Sequence, residues 1–260
     1  MSARRFLAAI QRRDDVAPSG AFPWSVPLIR DLQAIEFSTP VTFLVGENGS
    51  GKSTVLEGIA AGMSAAAAGS RDLQRDETLV AAREFAKGFR FVRQRHAKTR
   101  MFMRAEDAFG FVRRFADEVR VQERMPDSPD KQSEILWAKV NQAAFEVRYG
   151  GDLDAQSHGE TFLKILAERL APEGLYFLDE PETPLSPQRL LALMGLIKDR
   201  VERGCQFVIA THSPILMGQP DATILSFHDG RIEPVAYDDI EHVRITRAFL
   251  NDRERFLRRL

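Results

Sequence analysis

The sequence has only one cysteine and no long apolar run. Cys205 stands alone among 260 residues, which excludes an intrachain disulfide and a metal cluster held by several thiolates. No stretch approaches the roughly 18 consecutive apolar residues of a membrane-spanning helix, and the amino terminus lacks the apolar core of a signal peptide. We therefore expect a cytoplasmic protein without direct membrane insertion.

An excess of charge of either sign is also missing. The chain carries 36 basic and 37 acidic side chains, for a formal net charge of −1. Global charge therefore gives no sign of nucleic-acid binding. Hydrophobic residues make up 44 % of the sequence, which is enough to bury the core of an ordinary globular protein.

The first part of the chain predicts strands and loops followed by one helix. Residues 1–40 mix short apolar segments with several prolines, which is typical of edge strands and loops. Residues 41–45 are apolar and β-branched, and a glycine-rich turn connects them to helix formers at 52–68. This pattern indicates a strand, a loop and a helix.

The last part of the chain alternates in the same way. Residues 175–178 and 207–210 are apolar runs that predict strands. A helix between them is predicted to begin at Ser186-Pro187 and to end at Gly204. Residues 228–230 read His-Asp-Gly and predict a hairpin turn. The alternation predicts an α/β fold with a mixed sheet core and flanking helices.

The middle of the chain predicts a mainly helical lobe at residues 70–150. Apolar residues recur there at steps of three and four, as in amphipathic helices, with a short strand at 101–103 between two of them. The periodic positions are Leu79, Ala82, Ala86 and Phe89, then Ala108, Phe111, Phe115 and Val119. We expect a single domain over residues 1–260, with a core lobe at 1–69 and 151–250 and a carboxyl-terminal helix at 251–260 that docks onto it.

A phosphate-binding loop follows the first predicted strand. Residues 46–53 read GENGSGKS, which fits the G-x-x-x-x-G-K-[ST] pattern in its required place between a strand and a helix. The glycines let backbone N–H groups converge on phosphate oxygens at the positive end of the helix dipole. Lys52 would reach the β- and γ-phosphates, and Ser53 would bind Mg²⁺.

Three further segments supply groups that suit phosphate chemistry. Asp179 and Glu180 end an apolar strand, where Asp179 would hold Mg²⁺ through water and Glu180 could polarise the attacking water. His212 follows the next apolar strand, at the edge where open α/β sheets bind ligands. Ser157 lies at the start of a predicted helix, another anion-binding position.

The ordered set GENGSGKST, QSHGE, YFLDEPETPLS and IATHSP resembles the ABC ATPase superfamily. The DEPE form and the glutamate that ends QSHGE are more similar to the soluble RecF/SMC-like branch, and to small stand-alone bacterial AAA/ABC ATPases, than to transporter ATPases. The resemblance implies an ABC-type P-loop NTPase fold, an ATPase (ATP phosphohydrolase) activity, ATP and Mg²⁺ as cofactors, and a homodimer that sandwiches ATP.

The resemblance also implies roles for individual residues. Glu180, His212 and Lys52 would be catalytic, Ser53 and Asp179 would bind Mg²⁺, and Ser157 and Gly159 would touch the γ-phosphate held by the other subunit. The ATP-binding set is Gly46, Asn48, Gly49, Ser50, Gly51, Lys52, Ser53, Thr54, Ser157 and Gly159. Two residues depart from the usual pattern: His158 replaces the first glycine of the signature, and Ser186 stands where transporters carry an aspartate.

Two assignments stay open between alternatives. The glutamine that usually orients water and Mg²⁺ could be Gln94, which has a suitable separation from Lys52, but Glu106 has the better local context. The adenine could stack on Phe22, Trp24 or Phe37, although all three also fit a core.

Three roles for the ATP cycle also remain open. A nucleic-acid clamp for DNA or RNA is suggested by basic residues between 83 and 104, although an ordinary solvated helix face explains them as well. A regulatory or defence ATPase would act on an effector protein. The alternative is the nucleotide-binding motor subunit of a membrane transporter. The basic residues are Arg83, Lys87, Arg90, Arg93, Arg95, Lys98, Arg100 and Arg104.

Overall fold

The computed structural model describes residues 5–16, 19–67, 80–105 and 158–258. In chain order, its elements are β1 (Leu7–Arg12), α1 (Pro27–Asp31), β2 (Ala34–Glu36), β3 (Val41–Gly46), α2 (Lys52–Gly62), β4 (Ala66–Ala67), α3 (Val80–Lys87), β5 (Phe89–Arg93), β6 (Thr99–Arg104), α4 (His158–Arg169), β7 (Gly174–Asp179), α5 (Pro187–Glu202), β8 (Gln206–Ala210), α6 (Pro214–Met217), β9 (Thr223–His228), β10 (Arg231–Pro234), a 3₁₀ turn (Tyr237–Asp239), α7 (Glu241–Asn251) and α8 (Arg253–Leu257).

The strands of the described residues form two sheets. The larger has the order β10-β9-β3-β8-β7-β6-β4 and the smaller the order β2-β1-β5. In the larger sheet β9 and β10 are antiparallel, while the other neighbouring pairs are parallel. The carboxyl ends of β3, β6, β7 and β8 therefore meet at one edge, where ligands of open α/β sheets bind.

Alternating side chains bury both faces of the larger sheet. Phe177 and Val208 point to the side that packs with α2 and the smaller sheet. Tyr176 and Phe207 point to the other side and pack with α4 and α5. Because successive residues of a strand face opposite sides, such doubly covered strands are nearly continuous apolar runs, as the sequence indicated.

The buried side chain of Gln206 joins the two sheets. Its Oε1 accepts from the backbone N–H groups of Phe6 (2.8 Å) and Leu7 (3.0 Å), and its Nε2 donates to the Leu7 carbonyl (2.8 Å). These bonds attach the start of β1 to the start of β8, away from the edge where the phosphate loop lies.

The predicted α/β class with a mixed sheet core and flanking helices is confirmed. The strands expected at 41–45, 175–178 and 207–210 are β3, β7 and β8. The helix between the last two begins after Ser186, and Gly204 follows it with a φ of 82°. Asp229 and Gly230 form the tight turn between β9 and β10, both with positive φ.

Three details differ from the expectations. The helix expected at 52–68 ends at Gly62, since residues 66–67 pair with β6. Phe89 begins a strand beside β1 instead of continuing a helix. The terminal helix α8 is capped by Asp252, because Asn251 still belongs to α7. Its Phe256 ring lies against Phe249 of α7, with ring centroids 5.8 Å apart, and docking of the segment 251–260 onto the core lobe stays a prediction.

The helical lobe lies mostly outside the described residues. Within 80–105 the chain forms α3 and two strands, and the strand expected at 101–103 is part of β6. The division into lobes therefore stays a prediction. Across the described ranges, none of the helices has the length and apolar character required to cross a membrane.

Candidate nucleotide-binding site

The phosphate loop connects β3 to α2 through residues with left-handed or otherwise glycine-type backbone. Gly46, Gly49 and Gly51 have φ values of 148°, 80° and 97°. A Cβ at Gly46 would lie 2.5 Å from the carbonyl oxygen of Phe227, so no other residue fits there without displacing β9. This local geometry is the reason for the glycines in the motif.

Lys52 lies at the first position of α2 and is only 5 % exposed. Its Nζ donates to the carbonyl oxygens of Gly46 (2.9 Å) and Glu47 (2.7 Å). Burial lowers the pKa of Lys52, and the nearby carboxylates, with Glu180 first among them, oppose that shift. The cation is thus held over the phosphate loop by groups that phosphate oxygens could replace.

Ser53 and Asp179 bring two oxygen atoms together at the end of β7. The Ser53 hydroxyl donates to Asp179 Oδ1 at 3.1 Å, and both residues line a cavity of about 270 Å³. Burial raises the pKa of Asp179 to about 6, while the Ser53 hydrogen bond and Arg104 lower it. A hydroxyl and a carboxylate beside an open cavity fit Mg²⁺, which binds few protein ligands and keeps water and phosphate oxygens.

Arg104 and Glu57 complete the wall of this cavity. Arg104 is paired with Asp179 across β6 and β7, with 3.6 Å between its Nε and Asp179 Oδ2. Its guanidinium also forms an ion pair with Glu57, which lies one turn after Ser53 on α2. The cavity wall therefore contains a cation that contacts two carboxylates.

Glu180 and His212 face each other at the ends of β7 and β8. Their closest atoms, Glu180 Oε1 and His212 Nε2, are 3.6 Å apart, too far for a hydrogen bond. Glu180 has a φ of 46°, a left-handed conformation uncommon for a residue with a side chain. Burial, followed by the charge of Lys52, lowers the pKa of His212.

The structure thus brings together the main predicted site residues of a single chain. Lys52, Ser53, Asp179, Glu180 and His212 meet at the carboxyl edge of the larger sheet. Asn48, Ser50 and Thr54 lie in or directly after the phosphate loop.

Gly159 lies in a different place from these residues. It is in the first turn of α4, and a Cβ there would lie 2.6 Å from the carbonyl oxygen of Pro184. Pro184 belongs to the loop after β7, so Gly159 allows α4 to approach that loop closely. Ser157 lies outside the described residues, and its contact with a second subunit stays a prediction.

Of the two alternatives for the water-orienting residue, the structure places Gln94 at the wrong edge. The Gln94 backbone N–H donates to the Phe6 carbonyl (3.0 Å), and Phe6 is bonded to Gln206 at the start of β8. The phosphate loop lies at the opposite edge, since it follows the carboxyl end of β3, which runs parallel to β8. The separation of Gln94 from Lys52 along the sequence does not show at which edge of the sheet Gln94 lies. Glu106 lies outside the described residues.

Two of the three candidates for the adenine are core residues. Trp24 is 4 % exposed and stacks with Phe85 and Phe89, and Phe37 is fully buried. Phe22 is exposed and remains open as a candidate. A cavity of about 550 Å³ lies beside the phosphate loop, with the start of α1 and the β9–β10 turn in its walls, and could hold a nucleoside.

Much of the basic group between 83 and 104 has partners within the chain. Lys87 pairs with Glu84, and Arg95 and Lys98 both pair with Glu173. Arg104 pairs with Glu57 and lines the cavity beside Ser53 and Asp179. These contacts reduce the positive charge available to a nucleic acid, and nucleic-acid binding stays untested.

Sequence reasoning missed Glu57, Arg104 and Glu182. Glu57 could have been found from its position four residues after Ser53, which places both on one face of α2. The DEPE segment indicated only a similarity to the RecF/SMC-like branch and gave no role to its second glutamate. That residue, Glu182, accepts a hydrogen bond from the His212 backbone N–H. No sequence signal shows that Arg104 pairs with Asp179.

The fold and the site define a P-loop nucleotide-binding protein of the AAA/ABC ATPase class. A family model described as "AAA domain, putative AbiEii toxin, Type IV TA system" matches residues 61–218. The chain belongs to this family. A search of curated proteins found no match.

Several solved structures are similar to the chain at low sequence identity. CbiO1 from Clostridium perfringens, part of the ABC transporter complex cbiONQ, is 15 % identical, with 98 % of this chain and 100 % of that chain covered and a TM-score of 0.45. The SMC head domain from Thermotoga maritima is 18 % identical, with coverage of 89 % and 100 % and a TM-score of 0.45. An SmcHead bound to the C-winged helix domain of ScpA is 14 % identical, with coverage of 89 % and 98 % and a TM-score of 0.48. Nothing about this chain's substrate or partner follows from these similarities.

Proposed function

We propose that the chain binds MgATP at the phosphate loop and hydrolyses it. The observation that carries this proposal is the meeting of Lys52, Ser53, Asp179, Glu180 and His212 at one sheet edge. Phosphoryl transfer requires little covalent chemistry from a protein, so positioning and charge decide the rate. This edge supplies a cation, two oxygen ligands and a carboxylate.

Each side chain has a distinct task in this proposal. Lys52 leaves the carbonyl oxygens of the loop and binds the β- and γ-phosphates. Ser53 and Asp179 would hold Mg²⁺, and the metal when bound would supply positive charge to the phosphate oxygens. Glu180 accepts a proton from the attacking water, and its partial exposure gives water access to the carboxylate. His212, whose ring lies beside the Glu180 carboxylate, contacts the γ-phosphate.

The hydrolytic unit in this proposal is a homodimer that sandwiches two ATP molecules. The support is the QSHGE segment, because Ser157 and Gly159 would supply contacts to the γ-phosphate in the partner's site. Such an interface is isologous, so both sites form together. ATP is part of the interface, and association should therefore strengthen with ATP and relax after hydrolysis.

Mixing two inactive variants tests the dimer. Lys52→Ala removes the phosphate-binding cation and Ser157→Arg blocks the surface offered to the partner, so each alone should be inactive. Their heterodimer retains one intact composite site and should recover part of the activity. Light scattering should show that Glu180→Gln stays dimeric with ATP but not with ADP. Monomers at saturating ATP, together with turnover per chain that is independent of concentration, would contradict the sandwich.

Three alternative roles of the ATP cycle stay predictions. A nucleic-acid clamp, an effector-coupled ATPase and a transporter subunit differ in what the ATP-bound dimer retains. Purification of Glu180→Gln from native cells, followed by identification of the trapped component, separates them. Salt-dependent retention on duplex DNA would favour the clamp.

A further inference from the structure

Glu182 is a partly enclosed carboxylate that the proposed reaction does not use. It lies two residues after Glu180, in the turn that follows β7. Its Oε1 accepts two hydrogen bonds from the next strand's loop, one from the Thr211 hydroxyl (2.7 Å) and one from the His212 backbone N–H (2.6 Å). Its Oε2 is shielded from solvent and has no hydrogen-bond partner among the described residues.

The two bonds connect the turn after β7 to the turn after β8. The first turn is closed by bonds from Thr183 N–H to the Glu180 carbonyl (3.1 Å) and from Leu185 N–H to the Glu182 carbonyl (2.8 Å). Glu180 and Glu182 therefore belong to one hydrogen-bonded turn. A shift of either turn changes the distance between the Glu180 carboxylate and the His212 ring.

The contacts continue into the helix that follows His212. The Thr211 hydroxyl, which donates to Glu182, also accepts from the Ser213 N–H (3.0 Å). The Ser213 hydroxyl in turn caps α6 by accepting from the Leu216 N–H (3.3 Å). His212 thus lies on a short loop whose backbone N–H groups are bonded at three successive residues, 211–213. Glu182 accepts one of these bonds, from the His212 N–H, and a second bond from the Thr211 side-chain hydroxyl.

We propose that Glu182 is a positioning residue that holds the loop of residues 211–213 against the turn of Glu180, and so sets where His212 meets the γ-phosphate. This inference rests on the proposed ATPase function. Glu182 acts through His212, because its one bonded oxygen is occupied by Thr211 and the His212 backbone. Loss of the carboxylate should free the His212 loop while leaving the phosphate loop and its Lys52 in place.

Kinetics of Glu182→Ala provide the first test. Misplacement of His212 should lower kcat by about 10- to 100-fold, with KM for ATP changed by less than about threefold. The effect should depend on His212: in a His212→Ala background, Glu182→Ala should change kcat by less than about twofold. Losses that multiply in the double variant would overturn the proposal, because Glu182 would then act without His212.

Amide hydrogen exchange in the nucleotide-free protein provides a test that does not need hydrolysis. In Glu182→Ala the His212 N–H loses its acceptor and should exchange faster. The Thr211 N–H, which donates to the Leu44 carbonyl (3.2 Å), and the Glu180 N–H, which donates to the Ala210 carbonyl (2.9 Å), should stay protected. Unchanged exchange at His212, or equal acceleration at all three amides, would overturn the proposal.

Two matched variants complete the design. Glu182→Gln keeps a carbonyl oxygen that can accept both bonds, so it should retain His212 protection and most of kcat, and it replaces Glu182→Ala if that variant does not fold. A glutamine variant that protects His212 but loses activity as alanine does would contradict positioning. Glu84→Ala removes a partly exposed carboxylate that pairs with Lys87 and should leave kcat unchanged. If the wild type does not hydrolyse ATP, the proposed function fails, while the exchange result still decides the role of Glu182.

Discussion

Replacement of Glu180 by glycine should separate stability from activity. Glu180 has a φ of 46°, and the left-handed conformation costs a residue with a Cβ about 1–2 kcal/mol. Glycine removes that cost, but its greater conformational freedom in the unfolded chain lowers the free energy of unfolding by about 0.4–1 kcal/mol. The backbone bond from Glu180 N–H to the Ala210 carbonyl (2.9 Å) survives the change. We therefore expect Glu180→Gly to be neutral or to stabilise the fold by up to about 1.6 kcal/mol.

A glycine at an ordinary position provides the matched control. Ala192 lies on the exposed side of α5, where Ala→Gly should cost about 1 kcal/mol. The free energies of unfolding of the two variants, measured in urea, should thus differ by roughly 1–2.6 kcal/mol. Phosphate release by Glu180→Gly should meanwhile fall by about 100-fold or more, as expected when a general base is lost. If Glu180→Gly destabilises the protein as much as Ala192→Gly, backbone strain at the base is refuted.

Three further predictions concern the rest of the site. Lys52→Ala should weaken MgATP binding by about 100-fold or more while the chain still folds, because the charge-assisted phosphate contacts are lost; equal affinity in calorimetry would reject the assignment. Burial raises the folded-state pKa of Asp179 to about 6, so ionisation of this carboxylate lowers stability as pH rises from about 4 to above 6. Asp179→Asn should therefore stabilise the nucleotide-free protein by on the order of 1–3 kcal/mol at pH 7.5 and hardly at pH 4. Thermal unfolding at the two pH values measures the difference. Gly46→Ala should destabilise the fold by about 1–3 kcal/mol, since its Cβ would lie 2.5 Å from the Phe227 carbonyl oxygen. Gly195→Ala in α5, where a Cβ would meet nothing within 4 Å, should instead stabilise the fold by about 0.5–1 kcal/mol. Equal urea midpoints for the two variants would contradict this.

The features that the sequence predicted are those with a local signature. The phosphate loop requires glycines and a lysine at fixed spacing. The strands of the larger sheet are apolar runs because both of its faces are covered, one by α2 and the smaller sheet and the other by α4 and α5. Asp179, Glu180 and His212 could be placed because each follows such a run directly. In these cases a few consecutive residues carry the whole signal.

The features that sequence reasoning missed depend on which strands are neighbours. Arg104 reaches Asp179 only because β6 and β7 pair in that register, and Glu182 reaches His212 only because β7 lies beside β8. Gln94 is a candidate by its separation from Lys52 along the chain, yet it directly follows β5, and its backbone N–H donates to Phe6, which is bonded to the start of β8.

Phosphate release with Mg²⁺ and ATP, compared between the wild type and Glu180→Gln, tests the central claim most directly. The glutamine has nearly the same shape as the glutamate and leaves Lys52, Ser53 and Asp179 unchanged, so ATP binding should persist in calorimetry. Turnover should fall by about 100-fold or more, because the amide cannot accept the proton of the attacking water. Phosphate release that is equal in the two proteins, or absent from the wild type at high protein concentration, would contradict the assignment of this site to ATP hydrolysis.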